Sequence, residues 1–310
     1  MITIPLIQKI AELFLILFVT AVLVRTRVFQ ADYSRVLSRV SLYFVTPCAI
    51  FSSFMKELTG EVQQGLLVAA ALAVCFQAVF FAVAAILRRV WKATEVERAS
   101  IIFTNAGNLI IPLVAYVLGP EWVIYVTGYL LVFNVLFWTI GLRMFTGKSG
   151  PGMWKALLNP SVLAVAAGTL VMISGVSLPE PIAIAVEDVG AMIGPLCMMI
   201  TGMVVGSMKF RDLFANKRVF GVLLFRMVLC SGLAVLLAAF SGIAGRIPSG
   251  KSVVMIPLLS ALAPSASNIN QVAILYNKDA PYASAINILT TLSCIVTIPL
   301  WILLYNTLVP

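Results

Sequence analysis

The sequence predicts an all-α integral membrane protein with ten transmembrane helices, and three observations support this fold class. First, 61% of the 310 residues are hydrophobic and 11% are charged, whereas a soluble domain carries about 25% charged residues. Second, the apolar residues form runs close to the length of about 20 residues that a membrane-spanning helix needs. Third, the charges are concentrated in short segments between these runs. A soluble protein of this composition would expose large apolar patches and aggregate.

The apolar runs define ten predicted spans. In order, they cover residues 4–24, 35–55, 64–87, 98–118, 122–145, 158–175, 182–208, 217–243, 252–275 and 280–307. The first run differs from a secretory signal peptide because its basic residues, Arg25 and Arg27, follow the apolar stretch. We therefore expect it to be a retained helix.

The distribution of basic residues predicts the orientation in the membrane. Odd-numbered loops carry basic clusters, such as Arg88 and Arg89 after span 3, while even-numbered loops carry mostly acids, such as Glu180 after span 6. Lysine and arginine are enriched in cytoplasmic loops. The odd-numbered loops are therefore predicted to be cytoplasmic, with both termini on the outer face.

Composition also argues against several classes of protein. The net charge of +9 is spread over many loops and forms no single basic face, so nucleic acid is not an expected partner. The chain has no histidine, which is the commonest metal ligand and proton shuttle. The five cysteines lie in apolar runs without a CxxC pair, and we interpret them as small core residues. No catalytic residue, metal site or cofactor is predicted.

One acidic residue lies well inside an apolar run. Glu12 is three residues after Lys9 near the outer end of span 1, a spacing that allows an ion pair on one helix face. We interpret Glu12 as half of such a pair at the membrane interface. A site for a proton or a coupling ion is the alternative.

The two halves of the chain share landmarks. Three pairs recur at offsets of 148, 152 and 153 residues, namely Pro47 with Pro195, Pro112 with Pro264, and Asn134 with Asn287. A unit of five helices ends on the opposite side from where it began, so a second copy enters the membrane inverted. The sequence therefore predicts two inverted five-helix repeats, 1–146 and 158–310, joined by a short cytoplasmic linker, 147–157.

Span 4 carries polar residues where a helix should break. Asn105-Ala106-Gly107-Asn108 is followed by Pro112; proline removes a backbone donor, and glycine lowers the cost of non-helical backbone. The freed polar groups cannot face lipid. We therefore predict a break over residues 105–112 that faces protein or a wet cavity.

Span 9 repeats this chemistry after Pro264, with Ser265, Ser267, Asn268 and Asn270. Two broken helices that meet at the midplane can point two helix N-termini at one spot, each with roughly half a positive charge. Such a site suits a carboxylate, and no buried full charge is expected there. The predicted substrate-binding residues are Asn105, Gly107, Asn108, Pro112, Asn134, Pro264, Ser265, Ser267, Asn268, Asn270 and Asn287.

Other polar and small residues have structural interpretations. Interhelical hydrogen bonding is an equal alternative for Asn134 and Asn287. Thr290 and Thr291 are expected to bond carbonyls of their own helix. The Gly-x3-Gly spacings at 190–194 and 202–206 predict close helix packing or a dimer contact.

Several motifs resemble one transporter family. TNAGNLIIPLV resembles the helix-4 motif of the auxin efflux carrier family, NPSVLAVAAGTL the start of its helix 6, and APSASNINQVAILY with ASAINILTTLSCIVTIPLW its last two helices. The resemblance covers essentially the whole chain. It implies a scaffold and dimer domain of helices 1, 2, 6 and 7 and a transport domain of helices 3–5 and 8–10. It also implies that helices 4 and 9 cross at prolines corresponding to Pro112 and Pro264, with binding asparagines at Asn105 and Asn108.

The resemblance further implies a small organic anion as substrate: auxin in plants, or malate- and malonate-like acids in bacteria. The short loop after span 5 is similar to that of prokaryotic members, which implies a bacterial inner membrane. The resemblance also implies a homodimer formed through the scaffold helices. Some plant members carry an acid and a lysine in helix 3, but residues 74–78 here are uncharged, which disfavours auxin. The family is distantly related to sodium–bile acid symporters, so the coupling ion, H⁺ or Na⁺, stays open.

Residue patterns favour a carrier as the main hypothesis. The three alternatives are a channel, an intramembrane enzyme and a non-transporting receptor. A channel would need a continuous polar stripe, but the polar residues cluster near the middle of the spans. An intramembrane enzyme would need a nucleophile with its base or a metal-ligand set. A non-transporting receptor built on a carrier fold would show the same motifs as a carrier.

Overall fold

The computed structural model is all-helical, apart from one short pairing of extended backbone, in the residues that it describes. These are residues 3–30, 32–55, 59–147, 158, 160–176 and 178–309. The all-α class predicted from the sequence is confirmed. Most of the predicted linker, 148–157, lies outside the described residues.

The helices follow the predicted apolar runs. The first half contains α1 (Thr3–Arg25), α2 (33–52), α3 (Gly60–Val90), α4 (Glu95–Ile102), α5 (Ala106–Val117) and α6 (Pro120–Thr146). The second half contains α7 (Pro160–Ser174), α8 (Glu180–Ser207), α9 (Phe210–Leu213), α10 (Arg218–Gly245), α11 (Gly250–Leu262), α12 (Asn268–Leu275) and α13 (Ala280–Leu308).

Among the described residues, five helices are long and apolar enough to cross a membrane: α3, α6, α8, α10 and α13. Shorter apolar helices accompany them, namely α5, α7 and α11. A membrane protein is therefore confirmed, while the count of ten spans stays a prediction.

Predicted spans 4 and 9 are each interrupted. α4 begins with a capping box, in which the Thr94 side chain and the Glu97 side chain each accept from the other residue's backbone N–H. It ends at Phe103, whose backbone is extended. α11 likewise ends at Ala263, because the following Pro264 disfavours helical backbone at that residue.

The break in span 4 lies earlier than predicted. Phe103 is extended, Thr104 forms a β-bridge, and Asn105 is neither extended nor helical. A wide π-helical turn follows over Ala106–Ile110. Pro112 lies in the first turn of the α-helical stretch Ile111–Val117. The predicted break near residues 105–112 therefore overlaps the observed interruption, which begins two residues earlier and ends at Ile110.

Close packing joins α1 to α8 through glycines. A Cβ added at Gly202 would lie 2.4 Å from the Leu17 carbonyl oxygen, and one at Gly206 would lie 2.5 Å from that of Ala21. Gly190 packs in the same way against the backbone of Ala49 in α2. The predicted close helix packing is confirmed, and it occurs within the chain.

The helices contact one another in two groups. α1 packs along α8, and α2 packs against α7 and α8. α3 packs against α6 and α11, while α10 packs against α11 and α13. The interrupted helices α4–α5 and α11–α12 meet where these groups adjoin, so the packing brings the two breaks together.

Candidate functional site

The two breaks pair with each other as a short antiparallel β-bridge. The Asn105 N–H donates to the Pro264 carbonyl over 2.7 Å, and the Ala266 N–H donates to the Phe103 carbonyl over 3.0 Å. Thr104 and Ser265 form the bridge and are each 1% exposed. Backbone groups that leave a helix inside a membrane must find partners in the protein. Here each break supplies partners for the other.

The register of this pairing differs from the offset between the two prolines. It sets Thr104 opposite Ser265, an offset of 161 residues along the chain, where the prolines had suggested 152. Pro264 takes part in the crossing through its carbonyl, but Pro112 lies in the helix that follows. The two prolines therefore occupy different positions relative to the paired backbone.

Helix α13 supports the second break. The Ser265 N–H donates to Thr290 Oγ1 over 3.2 Å, and Asn287 Nδ2 donates to the Ser265 carbonyl over 2.5 Å. Thr290 and Thr291 also donate to carbonyls of their own helix, as predicted. Asn287 is thus an interhelical donor, and Thr290 has a second role that sequence patterns did not indicate.

Asn134 behaves differently from Asn287. Its side chain is buried, and Nδ2 donates to the Leu130 carbonyl of its own helix over 2.9 Å. The two asparagines are therefore not equivalent in their bonding, although their positions suggested the repeat.

The remaining predicted polar residues surround the crossing. Asn105, Asn108, Ser267 and Asn268 are half-buried, at or just after the two breaks. α5 and α12 both begin here, so both half-helix N-termini adjoin the crossing. A Cβ at Gly107 would meet only Leu130, at 3.8 Å, so the backbone beside these asparagines is uncrowded.

Asn270 is half-buried one turn into α12. Its Oδ1 has no hydrogen-bond partner among the described residues. A buried amide oxygen without a partner costs about 1–3 kcal/mol. This acceptor is therefore available to a donor from a ligand or a bound water.

Arg226 is the main residue that the sequence analysis missed. It lies in α10 with 0% exposure, and Nη2 donates to the carbonyls of Ala261 and Ala263 over 2.5 and 2.7 Å. A full positive charge therefore lies beside the second break, which corrects the expectation of a site without one. The apolar run LLFRMVLC, 223–230, carried the signal, because an ionisable residue inside a membrane span is by default a functional candidate.

A second polar group lies beside the first break. Gln77 Nε2 donates to the Tyr129 hydroxyl over 3.2 Å, and the Thr104 hydroxyl donates to the same oxygen over 3.3 Å. Gln77 is 1% exposed, and its Oε1 has no partner among the described residues. The uncharged stretch 74–78 of α3 thus brings an amide close to the first break.

A cavity of about 500 Å³ adjoins this region between α5 and α6 on one side and α1, α2 and α8 on the other. Pro112, Gly194 and Pro195 line it, as do the charged residues Lys9 and Asp188. These charged residues belong to the side that basic-residue counts assign to the outer face. Of the predicted site residues, Pro112 borders this cavity.

Glu12 forms the predicted pair with Lys9. The Lys9 Nζ lies 2.7 Å from Glu12 Oε1, and the Glu12 side chain is 48% exposed. Within the described residues, no group of three or more His, Cys, Asp or Glu could hold a metal ion.

The opposite side of the molecule carries a buried carboxylate. Glu97 of α4 accepts from Arg218 Nε and Nη2 over 2.7 and 2.9 Å and from the Tyr282 hydroxyl over 3.0 Å. Burial alone would raise the pKa of Glu97, but the hydrogen bonds from Arg218, the Thr94 N–H and Tyr282 outweigh it and lower that pKa. Glu97 therefore ties α4 to α10 and α13 as a charged group.

The comparisons with known proteins agree with this architecture. A family model described as membrane transport protein matches residues 5–302 of the 310-residue chain. A comparison with curated proteins finds no significant match.

Proposed function

Because the chain belongs to the membrane transport protein family, the auxin efflux carrier family, we propose that it is a secondary carrier for a small organic anion. One observation supports this proposal most directly. Two interrupted helices pair inside the protein at a point where half-helix N-termini, amide side chains and the buried Arg226 adjoin. Each of these groups favours negative charge.

In this proposal the substrate binds at the crossing. Asn105, Asn108, Ser267 and Asn268 supply polar contacts, and the N-terminal ends of α5 and α12 attract a carboxylate through their partial positive charge. Arg226 adds a positive field without touching the substrate, because it is fully enclosed. Malate- or malonate-like acids fit this set of contacts, and the uncharged stretch of α3 disfavours auxin.

Transport follows from movement of one group of helices against the other. The scaffold consists of α1, α2, α7 and α8, and the transport domain consists of the other helices, within two inverted five-helix repeats. The cavity between α5 and α8 is then the outward-facing opening of an alternating-access cycle. The scaffold helices pair in a homodimer of a bacterial inner membrane, with both termini outside.

Alanine substitutions at Asn105 and Asn108 test the site. We expect each variant to lose malonate counterflow in proteoliposomes, while its yield and thermal stability stay near those of the wild type. Gln64→Ala, which removes an exposed amide from α3, is the matched control. Wild-type transport by both asparagine variants would contradict the assignment of the site.

The same assay separates the alternatives. Ligand-dependent thermal stabilisation of the wild type without counterflow would indicate a non-transporting receptor. Current that does not depend on substrate turnover would indicate a channel.

A further inference from the structure

Arg226 occupies the place of a cation at the end of a broken helix. Ala261 and Ala263 lie where α11 ends, and their carbonyl oxygens both accept from Arg226 Nη2. The last carbonyls of a helix have no intrahelical partners and carry its partial negative charge. In transporters, unwound carbonyls of this kind are the usual ligands of a coupling sodium ion.

We propose that Arg226 is a resident cation that replaces a coupling sodium ion at the end of α11, so that transport does not require sodium. The inference rests on the proposed function, because a coupling ion has meaning only in a carrier. The proposal states which positive charge lies beside the anion site. It assigns that role to Arg226 of α10, outside the interrupted helices α4–α5 and α11–α12.

The surroundings of Arg226 fit a permanent charge. No carboxylate lies within ion-pair distance among the described residues, so the helix end is its main counter-charge. The guanidinium also lies 4.9 Å from the centre of the Phe80 ring, a cation–π contact. A buried charge without such compensation would be strongly unfavourable. The carbonyls and the ring therefore make this position a site for a cation.

The backbone of α10 is adapted to hold this side chain. Arg226 lies in a π-helical stretch, Leu224–Cys230, and Trp301 Nε1 of α13 donates to the Met227 carbonyl over 2.8 Å. Single π-helical turns are frequent at functional sites. The attachment to α13 fixes the stretch, so the guanidinium cannot leave the helix end as a dissociable ion would.

Two nitrogen atoms of Arg226, Nε and Nη1, do not bond the end of α11. Nε and Nη1 have no oxygen or nitrogen acceptor among the described residues, and the Cys230 thiol is the polar group beside them. Tyr129, which bonds Thr104 at the first break, is also close enough to interact electrostatically. The fixed charge is thus bonded to the second break and lies near Tyr129, the partner of the first.

Ion replacement with the wild-type protein is the first test. We expect malonate uptake into proteoliposomes to proceed at the same rate in sodium, potassium or N-methyl-D-glucamine buffers of equal pH. Uptake that requires sodium would overturn the role of Arg226 and leave the proposed function intact. Failure to transport any small carboxylate in every buffer would instead overturn the proposed function.

Arg226→Met is the second test. We expect it to lose uptake in sodium-free buffer and to regain uptake when sodium, lithium or methylguanidinium is added. Arg246→Met, which removes an exposed arginine beyond the far end of α10, should behave as the wild type. Full sodium-free uptake by Arg226→Met, or a loss that no cation restores, would overturn the proposal.

Arg226→Lys covers the case in which the methionine variant does not fold. Its ammonium group keeps the charge and can donate to one of the two carbonyls. We expect uptake that is reduced but still independent of sodium. Sodium-dependent uptake by this variant would overturn the proposal.

Discussion

Arg226 and Glu97 are both fully buried ionisable residues, and they are compensated in different ways. Arg226 faces carbonyl oxygens and an aromatic ring, whereas Glu97 faces a cation, a hydroxyl and a backbone N–H. A buried group that loses its partner costs more than the bond itself contributed. Single substitutions at such positions should therefore have large and separable effects.

Glu97→Gln should lower the free energy of unfolding by about 1–3 kcal/mol, less than for a fully buried pair because Arg218 is partly exposed. Since folding lowers the pKa of Glu97, its stabilisation is fully present above the ordinary value of about 4.3. It is lost as pH falls through the lower folded pKa. In thermal unfolding, the melting temperature of Glu97→Gln should lie below that of the wild type at pH 7. This difference should become smaller at acidic pH.

Glu180 is exposed, so Glu180→Gln is the control. Its melting temperature should be close to that of the wild type at every pH. If the melting temperatures of the wild type and Glu97→Gln differ equally at pH 7 and at acidic pH, the charge of Glu97 does not contribute to stability.

The neighbouring threonines of α13 offer a matched comparison. Thr290→Val removes the acceptor of the buried Ser265 N–H and should cost about 1–3 kcal/mol, the penalty of an unsatisfied buried donor. Thr291→Val removes only a bond to a carbonyl of its own helix and should cost much less. Equal shifts in melting temperature would show that the Ser265 contact does not stabilise the crossing.

At the scale of elements, apolar runs predicted the helices well but the interruptions less well. The predicted spans 4–24 and 280–307 correspond to Thr3–Arg25 and Ala280–Leu308, because the apolar length needed to cross a membrane is a local property. The non-helical backbone at 103–105 depends on partners about 160 residues away. Local signals such as Pro112 could not place it.

Local sequence signals predicted only part of the site, because some of its residues depend on partners that are distant in the chain. Asn105, Asn108, Ser267 and Asn268 lie beside the crossing as their sequence neighbourhood suggested. Gln77 and Thr104 carry no signal in a single sequence, because their role depends on Tyr129 of another helix. Arg226 did carry one, as a lone charge within an apolar run.

The α1–α8 contact gives a test at this scale. Gly202→Val should separate the two helices, because even a Cβ at Gly202 would lie 2.4 Å from a backbone oxygen of α1, and backbone cannot move aside as a side chain can. We expect a clear fall in melting temperature. Gly60→Ala, where a Cβ would meet nothing within 4 Å, should be neutral. Equal melting temperatures for the two variants would contradict this packing.

At the scale of the whole molecule, the two ends of the helix bundle carry different charges. The cavity of about 500 Å³ contains Glu187 and Asp188, whereas Arg88, Arg89 and Arg98 line a pocket of about 550 Å³ at the other ends of α3 and α4. This asymmetry agrees with the orientation that loop charges predict.

Cysteine labelling tests that orientation. In a background without the five native cysteines, an impermeant maleimide added to intact cells should label Asp188→Cys and leave Lys217→Cys unlabelled. Both positions are exposed, so accessibility within the protein is matched. Labelling of Lys217→Cys alone would reverse the orientation.

The β-bridge between Thr104 and Ser265 also has a consequence for biogenesis. When the ribosome has completed the first half of the chain, the N–H of Asn105 and the carbonyl of Phe103 have not yet met the strand that pairs with them. The nascent first half must therefore wait in the translocon or the bilayer, with its break solvated, until the second half is inserted. The two halves are obligate folding partners, and a truncated chain should be degraded unless its complement is co-expressed.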